Sequence, residues 1–204
     1  MEKNGEYNEV IKKIKILILG NTSVGKTSFI LKYANNYFQE EYLSSIGIDF
    51  KVKEIIIKDN KYKLILYDTA GQERFKSLSL NVLKNADGVI LIYDITNVKS
   101  FKSISEWIKN VKEMKRNNFP MILLGNKNDL EEQREVKIED GEKLALENKI
   151  KFFEISNKTG ANINSACLFL VDKILDYNEE NLRRNTSIIS SETSKSLIYK
   201  KKCC

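Results

Sequence analysis

An octapeptide near the beginning of the chain, residues 20–27 (GNTSVGKT), lies between an apolar, β-branched run and a stretch with helical spacing. It matches the pattern G-x-x-x-x-G-K-[ST] at every fixed position. In this pattern the glycines let successive backbone N–H groups turn towards a phosphate, and the following helix directs its positive N-terminus at the same group. Lys26 would reach the β- and γ-phosphates of a nucleotide, and the hydroxyl of Thr27 would bind Mg²⁺. The alternative is an ordinary glycine turn with a solvated lysine, which the position between strand and helix disfavours.

Apolar, strand-like runs alternate with segments of helical spacing along most of the chain. This alternation predicts an α/β fold with a six-stranded, mostly parallel sheet and helices on both faces. With the octapeptide placed after the first strand, the fold resembles that of the phosphate-loop NTPases. One connection, residues 58–61, is too short for a helix and predicts a hairpin, so that one strand is antiparallel. The strand candidates are residues 14–19, 50–57, 62–67, 89–93, 121–124 and 152–155, and the helix candidates are residues 26–34, about 77–85, 100–115, 138–148 and 163–177.

A length of 204 residues with 42% hydrophobic content favours one domain with tails over two domains. We predict an N-terminal extension over residues 1–9, the domain over residues 10–178, and a flexible, polar and basic tail over residues 179–204. No apolar run approaches the roughly 20 residues that cross a bilayer, and the first ten residues lack the apolar core of a secretory signal. A cytosolic protein is therefore expected.

Histidine, cysteine and charge narrow the possible chemistry. The chain has no histidine, which argues against a zinc site or a histidine-dependent catalytic triad. Of its three cysteines, Cys167 lies in an apolar helical pattern and is interpreted as a core residue, whereas Cys203 and Cys204 follow three lysines. Residues 181–204 carry +5 of the total net charge of +6, so the domain itself is nearly neutral. This distribution argues against a nucleic-acid partner and favours a tether to a membrane surface.

The segment DTAGQE, residues 68–73, follows the third strand candidate. At the carboxyl edge of such a sheet, Asp68 is suited to hold Mg²⁺ through a water molecule. Gly71 has no Cβ and lets a backbone N–H approach the γ-phosphate, while Gln72 would orient an attacking water. Taken alone the hexapeptide is also compatible with a polar turn.

Two further segments follow strands and predict the base that is bound. In NKND, residues 126–129, the carboxylate of Asp129 would accept hydrogen bonds from guanine N1–H and the 2-amino group, which adenine lacks. Asn126 would brace neighbouring loops, and the stem of Lys127 would cover the flat base. In SNK, residues 156–158, the backbone N–H of Asn157 would bind guanine O6. A surface turn rich in polar residues is the alternative for either segment in isolation.

The ordered set GNTSVGKT, DTAGQE, NKND and SNK resembles the Ras superfamily of small GTPases over roughly residues 10–178. Within that superfamily, IGIDF (46–50), KLILYDT (63–69), RFKSL (74–78) and the paired cysteines 203 and 204 resemble the Rab family. The resemblance implies a protein that binds GTP and GDP with Mg²⁺ and hydrolyses GTP slowly to GDP and phosphate. It also implies a membrane-anchored switch that regulates vesicle trafficking.

The resemblance also implies roles for individual residues. The first switch spans residues 38–49 and the second residues 70–82, with Phe38 against the guanine, Tyr42 over the phosphates and Ser45 on Mg²⁺ when GTP is bound. The implied metal ligands are Thr27, Ser45 and Asp68, the implied catalytic residues are Lys26 and Gln72, and the implied nucleotide-binding residues are Thr22, Ser23, Val24, Gly25, Lys26, Thr27, Ser28, Phe38, Tyr42, Ser45, Gly71, Asn126, Lys127, Asp129, Ser156, Asn157 and Lys158.

Several positions differ from the usual family pattern. Ser45 stands where threonine is usual, which keeps the hydroxyl but removes a methyl group, and Asn157 replaces the usual alanine. Tyr67 replaces a common tryptophan, and Val82 with Leu83 replaces a common tyrosine pair. These last changes alter the surface that partners would contact and leave nucleotide binding intact.

The expected mechanism is a two-state switch in which γ-phosphate and Mg²⁺ order both switch segments, and hydrolysis releases them. No arginine matches an internal arginine finger, so turnover should be slow, on the order of 10⁻⁴ to 10⁻² per second, and an activating protein is implied. By resemblance, an exchange factor, a prenyl-dependent escort or dissociation inhibitor, and effectors bind a monomer through the switch regions.

By the same resemblance, Cys203 and Cys204 are geranylgeranylated and place the protein on the cytoplasmic face of an intracellular membrane, cycling with the cytosol. A non-cycling nucleotide-binding scaffold and a phosphate-loop kinase are the rival interpretations. Loss of switching would favour the first of these, and a preference for ATP would favour the second.

Overall fold

The computed structural model describes residues 11–35, 48–69, 76–116 and 118–200, which form one six-stranded sheet flanked by helices. In chain order the elements are β1 (Lys12–Leu19), α1 (Lys26–Asn35), β2 (Ile48–Ile57), β3 (Asn60–Thr69), α2 (Lys76–Asn85), β4 (Gly88–Asp94), α3 (Val98–Lys102), α4 (Ile104–Met114), β5 (Met121–Asn126), a 3₁₀ helix (Asn128–Gln133), α5 (Ile138–Asn148), β6 (Lys151–Glu154) and α6 (Ile163–Lys200).

The strand order is β2-β3-β1-β4-β5-β6, and every neighbouring pair is parallel except β2 with β3. The predicted fold, a mostly parallel sheet with one antiparallel strand, is therefore confirmed. Because β1, β3, β4, β5 and β6 all run the same way, the segments that follow them emerge at one edge of the sheet. This shared carboxyl edge is where sheets of this kind bind ligands.

Helices cover both faces of the sheet, as expected. All seven residues of the central strand β4 are buried, since helices cover it from both sides. One core includes Ile16, Phe29 and Leu170 between the sheet and helices α1 and α6. The second core includes Leu91 and Ile108 between the sheet and helices α2, α4 and α5. Cys167 is fully buried in the first core, which agrees with its interpretation as a core residue.

Some element boundaries differ from the sequence prediction. The β2–β3 turn consists of two residues, Lys58 and Asp59, with φ of 48° and 61°, because Ile57 already pairs with Asn60. Two left-handed residues match the right-handed twist of the paired strands. The segment predicted as one helix over residues 100–115 is divided into α3 and α4 at Ser103, whose hydroxyl donates to Lys99 O at 3.0 Å. Such back-bonding by serine bends helices.

The last helix, α6, continues to Lys200, whereas the sequence predicted helix only to Tyr177 and a flexible tail from residue 179. The sequence has no glycine after residue 160 and no proline after residue 120, so no strong helix-ending residue interrupts this stretch. The predicted domain boundary near residue 178 and the role of the tail as an anchor remain predictions. None of the helices in the described ranges is long and apolar enough to cross a bilayer.

Candidate nucleotide-binding site

The loop between β1 and α1 is shaped by close approach of neighbouring segments. Gly25 has φ of +96°, and a Cβ built on it would lie 2.4 Å from Asn126 Nδ2 and 2.7 Å from Asn157 Nδ2. At Gly20, a Cβ would lie 2.2 Å from the carbonyl oxygen of Ile92 in β4. Real Cβ contacts are not this short, so both positions require glycine. The structure therefore brings the predicted phosphate loop directly against the segments that follow β5 and β6.

Lys26 begins α1 and lies inside the loop with only 5% of its surface exposed. Its Nζ donates hydrogen bonds to Gly20 O at 3.0 Å and to Asn21 O at 2.8 Å. Burial lowers the pKa of the Lys26 ammonium to about 8, and the nearby Asp68 carboxylate opposes this shift. The ammonium is thus held by loop carbonyls at the N-terminus of a helix, where an anion would also be stabilised.

Residues at the start of α4 also hold the phosphate loop in place by hydrogen bonds. These contacts were not predicted from the sequence. Asn21 Nδ2 donates to Ser103 Oγ at 2.9 Å, and Trp107 Nε1 donates to Asn21 Oδ1 at 3.3 Å. These contacts join residues more than 80 positions apart in the chain. No local pattern indicates such a pair.

Thr27 and Asp68 meet at the predicted metal position. The Thr27 hydroxyl donates to Asp68 Oδ2 at 2.6 Å, and Asp68 is 5% exposed at the end of β3. A hydroxyl and a carboxylate are oxygen ligands of the kind that Mg²⁺ prefers. In the described part of the chain no group of three or more acidic, histidine or cysteine side chains is arranged to hold a metal. The donor set fits Mg²⁺ nevertheless, because this ion typically takes one or two protein ligands and completes its shell with phosphate and water.

Asn126, the last residue of β5, joins three segments. Its Nδ2 donates to Val24 O in the phosphate loop at 2.8 Å, and its Oδ1 accepts from the backbone N–H of Asn157 at 3.3 Å. The side chain is 99% buried, since its exposed fraction is 1%. The backbone N–H of Asn157 that we predicted to bind guanine O6 is thus held at the site by Asn126, and guanine would share or replace this long hydrogen bond.

Asp129 lies in the 3₁₀ helix next to the segment after β6. Its Oδ1 accepts from Ser156 Oγ at 2.5 Å, and the backbone N–H of Asn128 donates to Ile155 O at 3.1 Å. Ser156 Oγ in turn accepts from Thr159 N at 3.0 Å. One carboxylate oxygen of Asp129 is therefore oriented by a buried serine.

Lys127 is the left-handed residue between β5 and the 3₁₀ helix, with φ of 71°. Its Nζ forms an ion pair with Asp94 Oδ2 at 2.6 Å, and the Asp94 side chain is only 8% exposed. The ion pair fixes the end of the Lys127 side chain at the carboxyl end of β4. Asp94 was not among the predicted residues, although it ends the fully buried strand β4 at the same edge.

A third unpredicted contact links the two segments that surround the predicted base position. Arg134 donates to Glu154 Oε1 at 2.6 Å and Oε2 at 2.8 Å, and its side chain is 13% exposed. Hydrogen bonds from Glu154 and Glu131 raise the pKa of the Arg134 guanidinium, which stays charged. A two-pronged contact of this kind restricts both distance and angle. It ties the end of the 3₁₀ helix to β6, two residues before Ser156.

The remaining predicted residues fall into two groups. Thr22, Ser23 and Lys158 are exposed, Ser28 is half-buried in α1, and Val24 is buried. The other predicted residues lie outside the described ranges: Phe38, Tyr42, Ser45, Gly71, Gln72, Cys203 and Cys204.

Comparison with known proteins identifies the family. Residues 15–176 match the model of the Ras family. The chain is 41% identical over 192 residues to Ras-related protein Rab-10 of Diplobatis ommata, covering 93% of this chain and 94% of that protein. It is 44% identical over 161 residues to Ras-related protein Rab-13 of Rattus norvegicus, covering 79% of each. It is 42% identical over 173 residues to GTP-binding protein Rab-3D of Rattus norvegicus, covering 85% and 79%.

The family match over residues 15–176 includes the phosphate loop, the carboxyl-edge segments and both cores. Both the extent of the family match and the level of identity to the Rab proteins agree with the fold and with the arrangement of the site. The chain therefore belongs to the Ras family and, within it, to the Rab-type small GTPases, the enzymes that bind guanine nucleotide and hydrolyse GTP.

Proposed function

We propose that this GTPase is a membrane-anchored switch, in which GTP with Mg²⁺ orders residues 38–49 and 70–82, and hydrolysis releases them. The proposal rests on hydrogen bonds that bring the loop after β1 together with the ends of β3 and β5 and the segment after β6. These bonds join Asn126 to Val24, Asn157 to Gly25, and Thr27 to Asp68. Contacts of this kind couple events at the phosphates to the base. A nucleotide that fills this site would therefore be held as one unit.

The residues that would hold Mg²⁺ are Thr27, Asp68 and, in the GTP form, Ser45. The bound ion would neutralise charge on the β- and γ-phosphate oxygens. Lys26 adds a buried positive charge at the same end of α1. Gln72 would orient the attacking water. Because phosphoryl transfer depends on positioning and charge neutralisation, no residue needs to act as a strong acid or base.

Hydrolysis is tested by single-turnover measurements of GTP cleavage with Mg²⁺. We expect wild-type turnover on the order of 10⁻⁴ to 10⁻² per second, because the positive charge that an arginine finger adds is supplied by a partner. Gln72→Leu should lower this rate by about tenfold, within the 10²-fold that a misplaced reacting group can cost. Gln133→Leu, an exposed glutamine in the 3₁₀ helix, is the matched control and should cleave at the wild-type rate. Equal, fast rates in wild type and Gln72→Leu would contradict the mechanism.

We also propose that effectors bind the exposed face of β2 and β3 between the two switch segments. Phe50 is 55% exposed and its ring centroid lies 6.2 Å from that of Tyr67. Val52 and Ile56 are 44% and 69% exposed on the same strand. An exposed apolar surface of this kind is characteristic of a binding face. In the sequence, β2 begins at the end of the first predicted switch segment and β3 ends where the second begins, which supports a binding face that includes both.

Membrane attachment would use Cys203 and Cys204 with the lysines before them. Two lipid chains give stable anchoring, whereas one chain gives only marginal binding. In the native cell, we expect mass spectrometry to find both cysteines prenylated in membrane fractions. The double variant Cys203→Ser, Cys204→Ser should move to the soluble fraction, and each single variant should distribute between the two. Unmodified cysteines in the membrane-bound protein would refute the anchor.

A further inference from the structure

The side chain of Asn157 carries a contact that its backbone role does not explain. Nδ2 donates to the carbonyl oxygen of Gly25 at 2.9 Å, and the residue is 96% buried, since 4% of its surface is exposed. The usual alanine of the family at this position has no group that makes this bond. The amide therefore adds a direct link from the segment after β6 to the phosphate loop.

This link acts beside that of Asn126. The Nδ2 groups of Asn126 and Asn157 donate to consecutive carbonyls of the phosphate loop, those of Val24 and Gly25. Gly25 O also accepts from Phe29 N at 2.9 Å, the first turn of α1, so the carbonyl is shared between the helix and Asn157. The two amides thus attach the loop immediately before Lys26 to both segments predicted to bind guanine.

The carbonyl oxygen of Asn157 supplies a second, independent observation. Oδ1 is buried and has no hydrogen-bond donor among the described residues. A buried acceptor without a donor is costly, and such atoms in folded proteins normally meet a ligand, an ion or a water. This oxygen lies at the junction of the phosphate loop and the base segments. Because the guanine donors N1–H and the 2-amino group are assigned to Asp129, we expect this oxygen to accept a hydrogen bond from a bound water.

We propose that the Asn157 side chain is a positioning residue that couples the guanine-binding segment to the phosphate loop through its hydrogen bond to the carbonyl oxygen of Gly25. The inference rests on the proposed function, since it requires guanine nucleotide at this site. Because this amide connects the segment predicted to hold the base with the loop predicted to hold the phosphates, movement of one segment is resisted by the other, and the base and the phosphates would be released together. The consequence is slower dissociation of GDP than the usual alanine would allow.

The test compares the dissociation rate and affinity of GDP for wild type, Asn157→Ala and Asn157→Leu in the full chain with Mg²⁺. Loss of a buried neutral hydrogen bond corresponds to roughly a five- to tenfold change, so both variants should release GDP about five to ten times faster. Leucine keeps the branched shape of asparagine, with two methyl groups in place of the amide oxygen and nitrogen, and so fills the site without making the hydrogen bond. If leucine behaves like wild type and alanine does not, the effect comes from packing, and the hydrogen-bond proposal is overturned.

The affinity for guanosine shows whether Asn157 couples the base segment to the phosphate loop or only stabilises the local structure. Because guanosine does not occupy the phosphate loop, we expect Asn157→Ala to weaken guanosine binding less than twofold while GDP weakens about five- to tenfold. Equal losses for both ligands would overturn the coupling. Asn148→Ala, which removes an amide from the end of α5 remote from the site, should leave both affinities unchanged.

Slower or unchanged release of GDP by Asn157→Ala relative to wild type would also overturn the proposal. Failure of the wild-type chain itself to retain GDP would instead contradict the proposed function, so the two failures are distinguishable.

Discussion

Asp129→Asn should change the preferred base from guanine to xanthine. The carboxylate of Asp129 is oriented by Ser156 Oγ at 2.5 Å and would accept from guanine N1–H and the 2-amino group. An asparagine presents an N–H where the carboxylate presented an oxygen, and xanthine carries an oxygen where guanine has the amino group. Sites built around such polar pairs discriminate by about 10⁴ to 10⁵, so we expect a loss of GDP affinity of about 10³-fold or more.

Competition between xanthosine diphosphate and GDP for the purified variant measures this change directly. Xanthosine diphosphate should bind Asp129→Asn more tightly than GDP does, and the wild type should give the reverse order. Asp59→Asn is the matched control, because Asp59 is an exposed residue of the β2–β3 turn with φ of 61°, a conformation that asparagine tolerates. Retained guanine preference in Asp129→Asn would show that this carboxylate does not read the base.

Lys26→Ala should remove most of the affinity for nucleoside diphosphates. The Lys26 ammonium is 5% exposed and held at the N-terminus of α1 by two loop carbonyls. Removing one partner of a buried charge pair costs about 2 to 5 kcal/mol, which corresponds to a loss of GDP affinity of about 30- to 5,000-fold. Guanosine, which has no phosphates, should lose much less affinity.

The control for this variant is Lys32→Ala, which removes a half-buried lysine from the same helix. Lys32 lies next to Gly160 and makes none of the phosphate-loop contacts. GDP affinity should therefore stay within about twofold of wild type, as expected for a surface change remote from the site. If Lys26→Ala and Lys32→Ala lose affinity equally, or if guanosine and GDP weaken together in Lys26→Ala, the ammonium does not bind the phosphates.

Much of the fold and part of the site follow from local patterns. The run of apolar residues in β4 and the spacing of Ile104, Trp107, Ile108 and Val111 in α4 each specify an element, because strands and helices repeat over a few residues. The parallel order then puts the ends of several strands at one edge. The roles of Gly25 and Lys26 were predictable because the phosphate-binding pattern is contained in eight consecutive residues.

Contacts between distant segments were not predictable in the same way. Arg134 with Glu154, Lys127 with Asp94, and Asn21 with Trp107 join residues whose spacing in the sequence has no regular relation. The extension of α6 beyond Tyr177 was missed because its polar residues give no apolar period, although they contain no helix-breaking residue.

The local sequence pattern thus specifies the order of elements, the phosphate loop and the two polar segments that resemble guanine-binding motifs. Only the tertiary structure decides that the amide of Asn157 reaches Gly25, that Ser156 orients Asp129, and that both glycines of the loop contact other segments without room for a Cβ. The physical reason is that the chemistry of a side chain and the period of a helix or strand depend on one residue or a few neighbouring residues. Distances and burial depend instead on how segments far apart in the chain pack together.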